Sequence, residues 1–154
     1  MYLYLSLLSK EMKNGLVLTL MGTFCCAANA APRPHILFIL VDDLGYGDLG
    51  YTGSDIKTPR IDALATNGTV LRRYYVMPSC TPTRAALQTG RYTVRYGLQD
   101  GTIPNNKPYG LNLTEKLLPE YLKELGYATH AIGKWHLGLY QWAYTPTFRG
   151  CGLG

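Results

Sequence analysis

The sequence predicts an α/β sandwich built on a mostly parallel sheet. Three observations carry that expectation. A continuous apolar run, His35 to Val41, ends abruptly on two aspartates, as a strand buried on both faces does. Two further β-rich runs, Thr69 to Met77 and Tyr127 to Ile132, each feed a short polar loop. Segments with helix caps and helical spacing alternate with these runs, and a repeated order of strand, loop and helix packs as layers around a parallel sheet.

The elements follow in order. After Val41 the stretch Asp42-Asp43-Leu44-Gly45-Tyr46-Gly47-Asp48-Leu49-Gly50-Tyr51 reads as loop. Thr58-Pro59-Arg60-Ile61-Asp62-Ala63-Leu64-Ala65 has a capping threonine, a proline in the first turn and the apolar spacing of a short helix, with Asn67-Gly68 as its stop. The second strand, Thr69 to Met77, leads through Pro78-Ser79 to Cys80, just ahead of a helix start. Thr81 can cap that helix, Pro82 suits its first turn, and Gly90 stops it. Arg95 to Gly110 is rich in Gly, Pro and Asn and reads as loop. Pro119 to Leu125 is a helix stopped by Gly126. The third strand, Tyr127 to Ile132, runs into Gly133-Lys134-Trp135-His136-Leu137-Gly138. Asp48 and Asp62 read as surface or capping residues, and Trp135 as packing.

Composition bounds the function. The chain has 154 residues, enough for one domain, and 47% apolar residues exclude wholesale disorder. Thirteen tyrosines against three phenylalanines place many hydroxyls that must reach water or a partner. The net charge of +5 is spread along the chain, with Arg72-Arg73 the one adjacent basic pair. No basic stripe of the kind that binds nucleic acid is present, and none is expected as a partner. An anionic substrate fits the sign of the charge.

The N-terminus reads as a secretory signal over residues 1–30, leaving 31–154 as the domain. Lys10 and Lys13 precede the apolar run Gly15 to Ala27, and Ala28-Asn29-Ala30 fits a cleavage site. The apolar Met1 to Leu8 segment leaves Met12 as an alternative start. The run is too short to span a bilayer, so no stable membrane anchor is expected. Loss of the segment removes two lysines and one glutamate, leaving +4. It also removes Cys25 and Cys26. Cys80 and Cys151 remain, too few for a disulfide framework. Asn67-Gly68-Thr69 and Asn112-Leu113-Thr114 are acceptor sequons, making Asn67 and Asn112 candidate glycan sites.

Three strand-end loops therefore carry polar groups: Asp42 and Asp43; Cys80 and Arg84; Lys134 and His136. In a parallel sheet such loops converge at one edge. Paired carboxylates suit a hard divalent cation such as calcium or magnesium; they also suit a solvated strand-ending turn. A cysteine at a helix start, with an arginine one turn on, suits an activated thiol; it also suits a small buried one. Taken alone, His136 reads as a structural histidine and Lys134 as a surface charge.

Set together, these pieces resemble a family. Cys80-Thr81-Pro82-Thr83-Arg84, continued to Thr89-Gly90-Arg91, resembles the sulfatase signature. Val41 to Asp48 resembles the sulfatase metal-binding opening, and Gly133 to Gly138 a third sulfatase block. Leu113 to Pro119 and Thr145 to Gly150 are similar to the arylsulfatase B group. The resemblance runs from Pro34 to Gly150. It implies an alkaline-phosphatase-like sandwich, incomplete at the C-terminus, and a sulfuric ester hydrolase acting on sulfated carbohydrate, such as glycosaminoglycan sugars, or on aryl sulfates.

The resemblance further implies that a formylglycine-generating enzyme oxidises Cys80 to formylglycine in the secretory pathway, and that the product is lysosomal or extracellular. One hydroxyl of the hydrated aldehyde attacks the ester sulfur; the second loses its proton as sulfate is eliminated. Asp42 and Asp43 would be calcium (Ca2+) ligands, with the modified Cys80 a further one. Arg84 would hold the diol, Lys134 would bind sulfate oxygens, and His136 would assist the elimination. The family pattern continues beyond this length with a further Asp-Asn pair, His and Lys. The ending Cys151-Gly152-Leu153-Gly154 departs from it and reads as an alternative exon, a frame change or a partial gene model. The competing expectations are a truncated, non-catalytic secreted sulfatase-like protein and a phosphate-transferring relative of the alkaline phosphatase fold. The cysteine signature argues against the latter, whose nucleophile is Ser or Thr.

Overall fold

The computed structural model describes residues 33–153; the expected signal at 1–30 lies outside the described residues. The chain forms two compact units, Met1–Tyr74 and Tyr75–Gly154.

In the first unit the apolar run 35–41 reaches a turn at Asp42-Asp43, and two 3-10 turns, Tyr46–Asp48 and Gly50–Thr52, lead towards helix α1 (Pro59–Asn67). Pro59 opens α1 with its φ already helical and no N–H to satisfy. The expected cap, Thr58, does something else. Its hydroxyl accepts from the Gly50 N–H at 2.8 Å and donates to Asp62 Oδ1 at 2.8 Å. The same carboxylate oxygen accepts from the Tyr51 N–H at 3.0 Å. Asp62 thus ties α1 to the preceding turn, beside the buried Leu49. Asp48 serves only its own turn, accepting from the Gly45 N–H at 2.6 Å.

The runs 35–41 and 69–77 carry no paired strand among the described residues. Ile36, Leu37 and Ile39 are 58%, 66% and 48% exposed, so the burial expected of a central parallel strand is not met here. The physical reason is that a strand is a pairing and not a local conformation: an apolar run with no ladder beside it has nothing to bury against.

The second unit contains α2 (Cys80–Thr89), α3 (Leu118–Glu124), β1 (His130–Ala131) and β2 (Gly152–Leu153). Helix α2 starts at Cys80, with Ser79 in the capping position, two residues earlier than a Thr81 cap requires. It ends where expected. Gly90 takes the left-handed conformation (φ 66°) and donates its N–H to the Ala86 carbonyl at 2.9 Å. Glu120 accepts from the Leu117 N–H at 2.7 Å, the acidic half of a capping box for α3. β1 and β2 pair in parallel, His130 opposite Gly152 and Ala131 opposite Leu153, the one sheet among the described residues. It realises two residues of the expected third strand.

A core of Ala85, Leu98, Ile103, Leu111, Leu117 and Leu137 binds α2 to the two loops around it, with Tyr96 and Trp135 packed against it. Arg149 is buried beside this core. Its Nη2 donates to the Glu115 carbonyl at 2.6 Å and its Nη1 to the Leu111 carbonyl at 3.4 Å. Burial pulls the guanidinium pKa down, opposed by the charge of Glu120.

Asp62→Ala is expected to cost about 1–3 kcal/mol, because it strands a part-buried N–H and hydroxyl at once. Urea unfolding with amide exchange at Tyr51 checks this. Asp48→Ala is expected to leave the Tyr51 amide protected.

Candidate active site

Cys80, Arg84, Lys134 and His136 all belong to the second unit, and the structure brings them together. Cys80 sits half-buried in the first turn of α2. The Lys134 ammonium donates to its Sγ at 3.3 Å. Arg84, one turn further along α2, is buried, and its Nη1 donates to the Lys134 carbonyl at 2.6 Å. The helix therefore grips the backbone of the 133–138 loop, and the loop's lysine reaches back to the head of the helix. One ammonium stands at the sulfur and a buried guanidinium holds the loop that carries it, an arrangement suited to an anion.

A second set of contacts fixes His136. Thr81, only 1% exposed, donates its hydroxyl to the His136 carbonyl at 2.9 Å and accepts from the Ile103 N–H at 3.1 Å. The His136 Nε2 lies 3.2 Å from the Ile103 carbonyl oxygen. A carbonyl only accepts, so this contact requires the proton on Nε2. Nδ1 is buried and has no partner among the described residues. The three residues close a ring of hydrogen bonds across three segments.

Asp42 and Asp43 belong to the first unit, where the apolar run turns, and both are exposed. Their carboxylate oxygens are the donor type that calcium takes, so the residues present fit that ion. Among the described residues, Asp43 (φ 56°) and His136 (φ 58°) are the two non-glycine residues with positive φ. That conformation costs about 1–2 kcal/mol for an L-residue and is concentrated at functional positions. Asn67 is exposed at the end of α1, its amide donating to the Ala63 carbonyl at 2.8 Å. Asn112 is exposed, and its Oδ1 accepts from the Thr114 N–H at 3.0 Å and hydroxyl at 3.1 Å.

Thr81 and the backbone of Ile103 are the participants that residue types did not reveal. Thr81 reads as a cap, and its partners lie 22 and 55 residues away. Trp135 packs as expected, its indole N–H tied to the Tyr144 carbonyl at 2.8 Å. A cleft of about 340 Å³ opens beside Lys134 and His136, with Trp135 in its wall.

A sequence profile of the sulfatase family matches residues 34–149. The chain is 51% identical over 118 residues to arylsulfatase J of Mus musculus, covering 77% of this chain and 20% of that protein. It is 40% identical over 132 residues to the N-acetylgalactosamine-6-sulfatase of Mus musculus, covering 80% of this chain and 25% of that one. It is also similar to the crystal structure of Ps i-CgsB, with a TM-score of 0.67 at 43% identity, covering 71% of this chain and 25% of that chain. The same protein in complex with k-i-k-neocarrahexaose gives 0.59 at 35% identity over the same shares. This chain thus spans a fifth to a quarter of the length of the relatives it matches. These likenesses imply the alkaline-phosphatase-like α/β fold. Matched across most of its length, the chain belongs to the sulfatase family.

Proposed function

We propose that this chain supplies the nucleophile, sulfate-binding and metal-binding groups of a sulfuric ester hydrolase that acts on sulfated carbohydrate, with aryl sulfates as alternative substrates. The observation that carries the reading is the Lys134 ammonium 3.3 Å from Cys80 Sγ, on a loop that the buried Arg84 holds from behind. Family membership supports the reaction class. The sugar named in the N-acetylgalactosamine-6-sulfatase and the oligosaccharide bound to Ps i-CgsB support a carbohydrate substrate.

In this reading a formylglycine-generating enzyme converts Cys80 to formylglycine, and Asp42 and Asp43, together with that residue, hold calcium. The ion would supply positive charge opposite the sulfate, and the aldehyde the nucleophilic oxygen. The chain's own groups have distinct tasks. Lys134 pairs with sulfate oxygens at the head of α2. Arg84 orients the 133–138 loop and adds fixed positive potential. His136, held by its Nε2–H on the Ile103 carbonyl, would assist the elimination. Thr81 holds His136 in its left-handed backbone conformation. The proposal includes a sandwich with a mostly parallel central sheet, a secretory signal over 1–30 and part of a catalytic domain over 31–154. It also includes glycans on Asn67 and Asn112 and a lysosomal or extracellular destination. No helix among the described residues is long and apolar enough to cross a membrane.

Mass spectrometry of the tryptic peptide Tyr74 to Arg84 from secreted protein is expected to show an aldehyde at Cys80; unmodified cysteine alone would sink the mechanism. Cys80→Ala is expected to abolish turnover of an aryl sulfate while leaving the circular dichroism spectrum unchanged. Thr81→Val is expected to lower kcat about 10- to 100-fold, the cost of a misplaced catalytic group. Thr81→Ser should recover most of that loss, and aldehyde content should be equal in both variants. Chelation of calcium is expected to remove turnover, and added calcium to restore it.

A further inference from the structure

The cleft beside Lys134 is a built feature rather than a gap between mobile loops. Its two main walls are the 103–109 and 134–139 segments, with Thr145 and Pro146 completing the lining. They are joined at one end by the Ile103–Thr81–His136 hydrogen bonds. At the other end the Leu111 N–H donates to the Leu137 carbonyl at 2.8 Å. Gly138, with φ 116°, allows the chains to cross there; a Cβ on it would stand 2.8 Å from the Gly110 Cα. Both walls are therefore fixed at two points, and the space between them persists.

The lining has a definite chemistry. Lys107 stands on one wall and Lys134 and His136 on the other, and no acidic side chain lines the cleft. Lys107 has no carboxylate partner among the described residues. Its backbone is held, with its N–H donating to the Pro104 carbonyl at 3.2 Å and its carbonyl accepting from the Tyr109 N–H at 2.8 Å. Tyr109 and Trp135 add aromatic surface and Asn105 an amide. The volume, about 340 Å³, is at the low end for small-ligand sites, which run from about 300 to 1,000 Å³. Aromatic faces, an amide and an unopposed lysine suit a sugar ring that carries a negative charge.

We propose that this cleft is a subsite for a second anionic group on the substrate, one sugar position or ring position away from the ester that is cleaved, and that Lys107 is the residue that reads it. The anion is either a uronate carboxylate on a neighbouring sugar or a further sulfate on the same sugar. The proposal rests on the sulfate-binding role of Lys134 given above. It assigns the chain a preference for doubly charged over singly charged sugars.

Three probes test it by calorimetric titration of the full chain: N-acetylgalactosamine 6-sulfate, N-acetylgalactosamine 4,6-disulfate, and a uronate-containing chondroitin disaccharide with one sulfate. At least one dianionic probe is expected to bind about three- to fivefold more tightly than the monosulfate, the range of a partly exposed ion pair. Which of the two does so identifies the source of the second charge. Lys107→Met should erase that preference and leave monosulfate affinity within about twofold, Lys107→Arg should keep it, and Lys107→Glu should invert it. Monosulfate binding with no dianion preference, or a preference that survives Lys107→Met, overturns the subsite alone. Failure of every probe to bind overturns the Lys134 reading together with it.

Discussion

The fastening of the 133–138 loop to the first two turns of α2 is the constraint on which the second unit's site depends. It consists of two links that start from residues three apart on the same helix. Arg84 holds the Lys134 carbonyl, and Thr81 holds the His136 carbonyl. Carbonyls two residues apart in an extended segment point to the same side, so both can be held by one helix. His136, at the second of these carbonyls, takes the left-handed conformation (φ 58°). Gly133 and Gly138, both with positive φ, let the loop leave in either direction. With these contacts made, the Lys134 backbone is fixed and its ammonium lies beside Cys80.

Burial decides how strong those links are. Arg84 and Thr81 lie in the buried first half of α2, among Pro82, Thr83 and Ala85. A hydrogen bond there does not compete with water, and an unmade one would leave a desolvated donor. The helix start therefore acts as a rigid base and the lysine loop as its ligand arm. Thr83 contributes to the same base, donating to the Met77 carbonyl at 2.6 Å and so fixing the approach to Cys80. Sites that must hold charge in a narrow geometry are commonly built on such preorganised elements.

The charges follow a consistent logic in each unit. The second unit gathers Lys134, Arg84 and Lys107 around its cysteine and cleft, whereas its Arg91 and Lys116 are neutralised by Glu115 and Glu124 away from it. The first unit gathers carboxylates: Asp48 and Asp62 spend theirs on backbone N–H groups, while Asp42 and Asp43 stand exposed at the turn. Residues of one chemical type thus differ in their surroundings within one unit: Asp48 and Asp62 accept from backbone N–H groups, and Asp42 and Asp43 face solvent.

Local chemistry was legible in the order of residues. Proline at the start of α1, glycine after α2 and glycine after α3 mark helix ends through backbone restrictions that hold in any fold. The Cys80-to-Arg84 spacing puts both residues on one helix face for the same local reason. What the sequence could not reveal is every contact that depends on a distant partner. Thr81 looks like a cap until the chain brings Ile103 and His136 to it, and Asp62 looks like a solvated acid until Tyr51 and Thr58 arrive. The apolar run 35–41 reads as a buried strand, yet strand pairing is a property of two segments, and no ladder forms there among the described residues. Local sequence determines which conformations a segment prefers. Only tertiary structure decides which donors, acceptors and apolar faces meet, because those meetings join residues that the sequence keeps far apart.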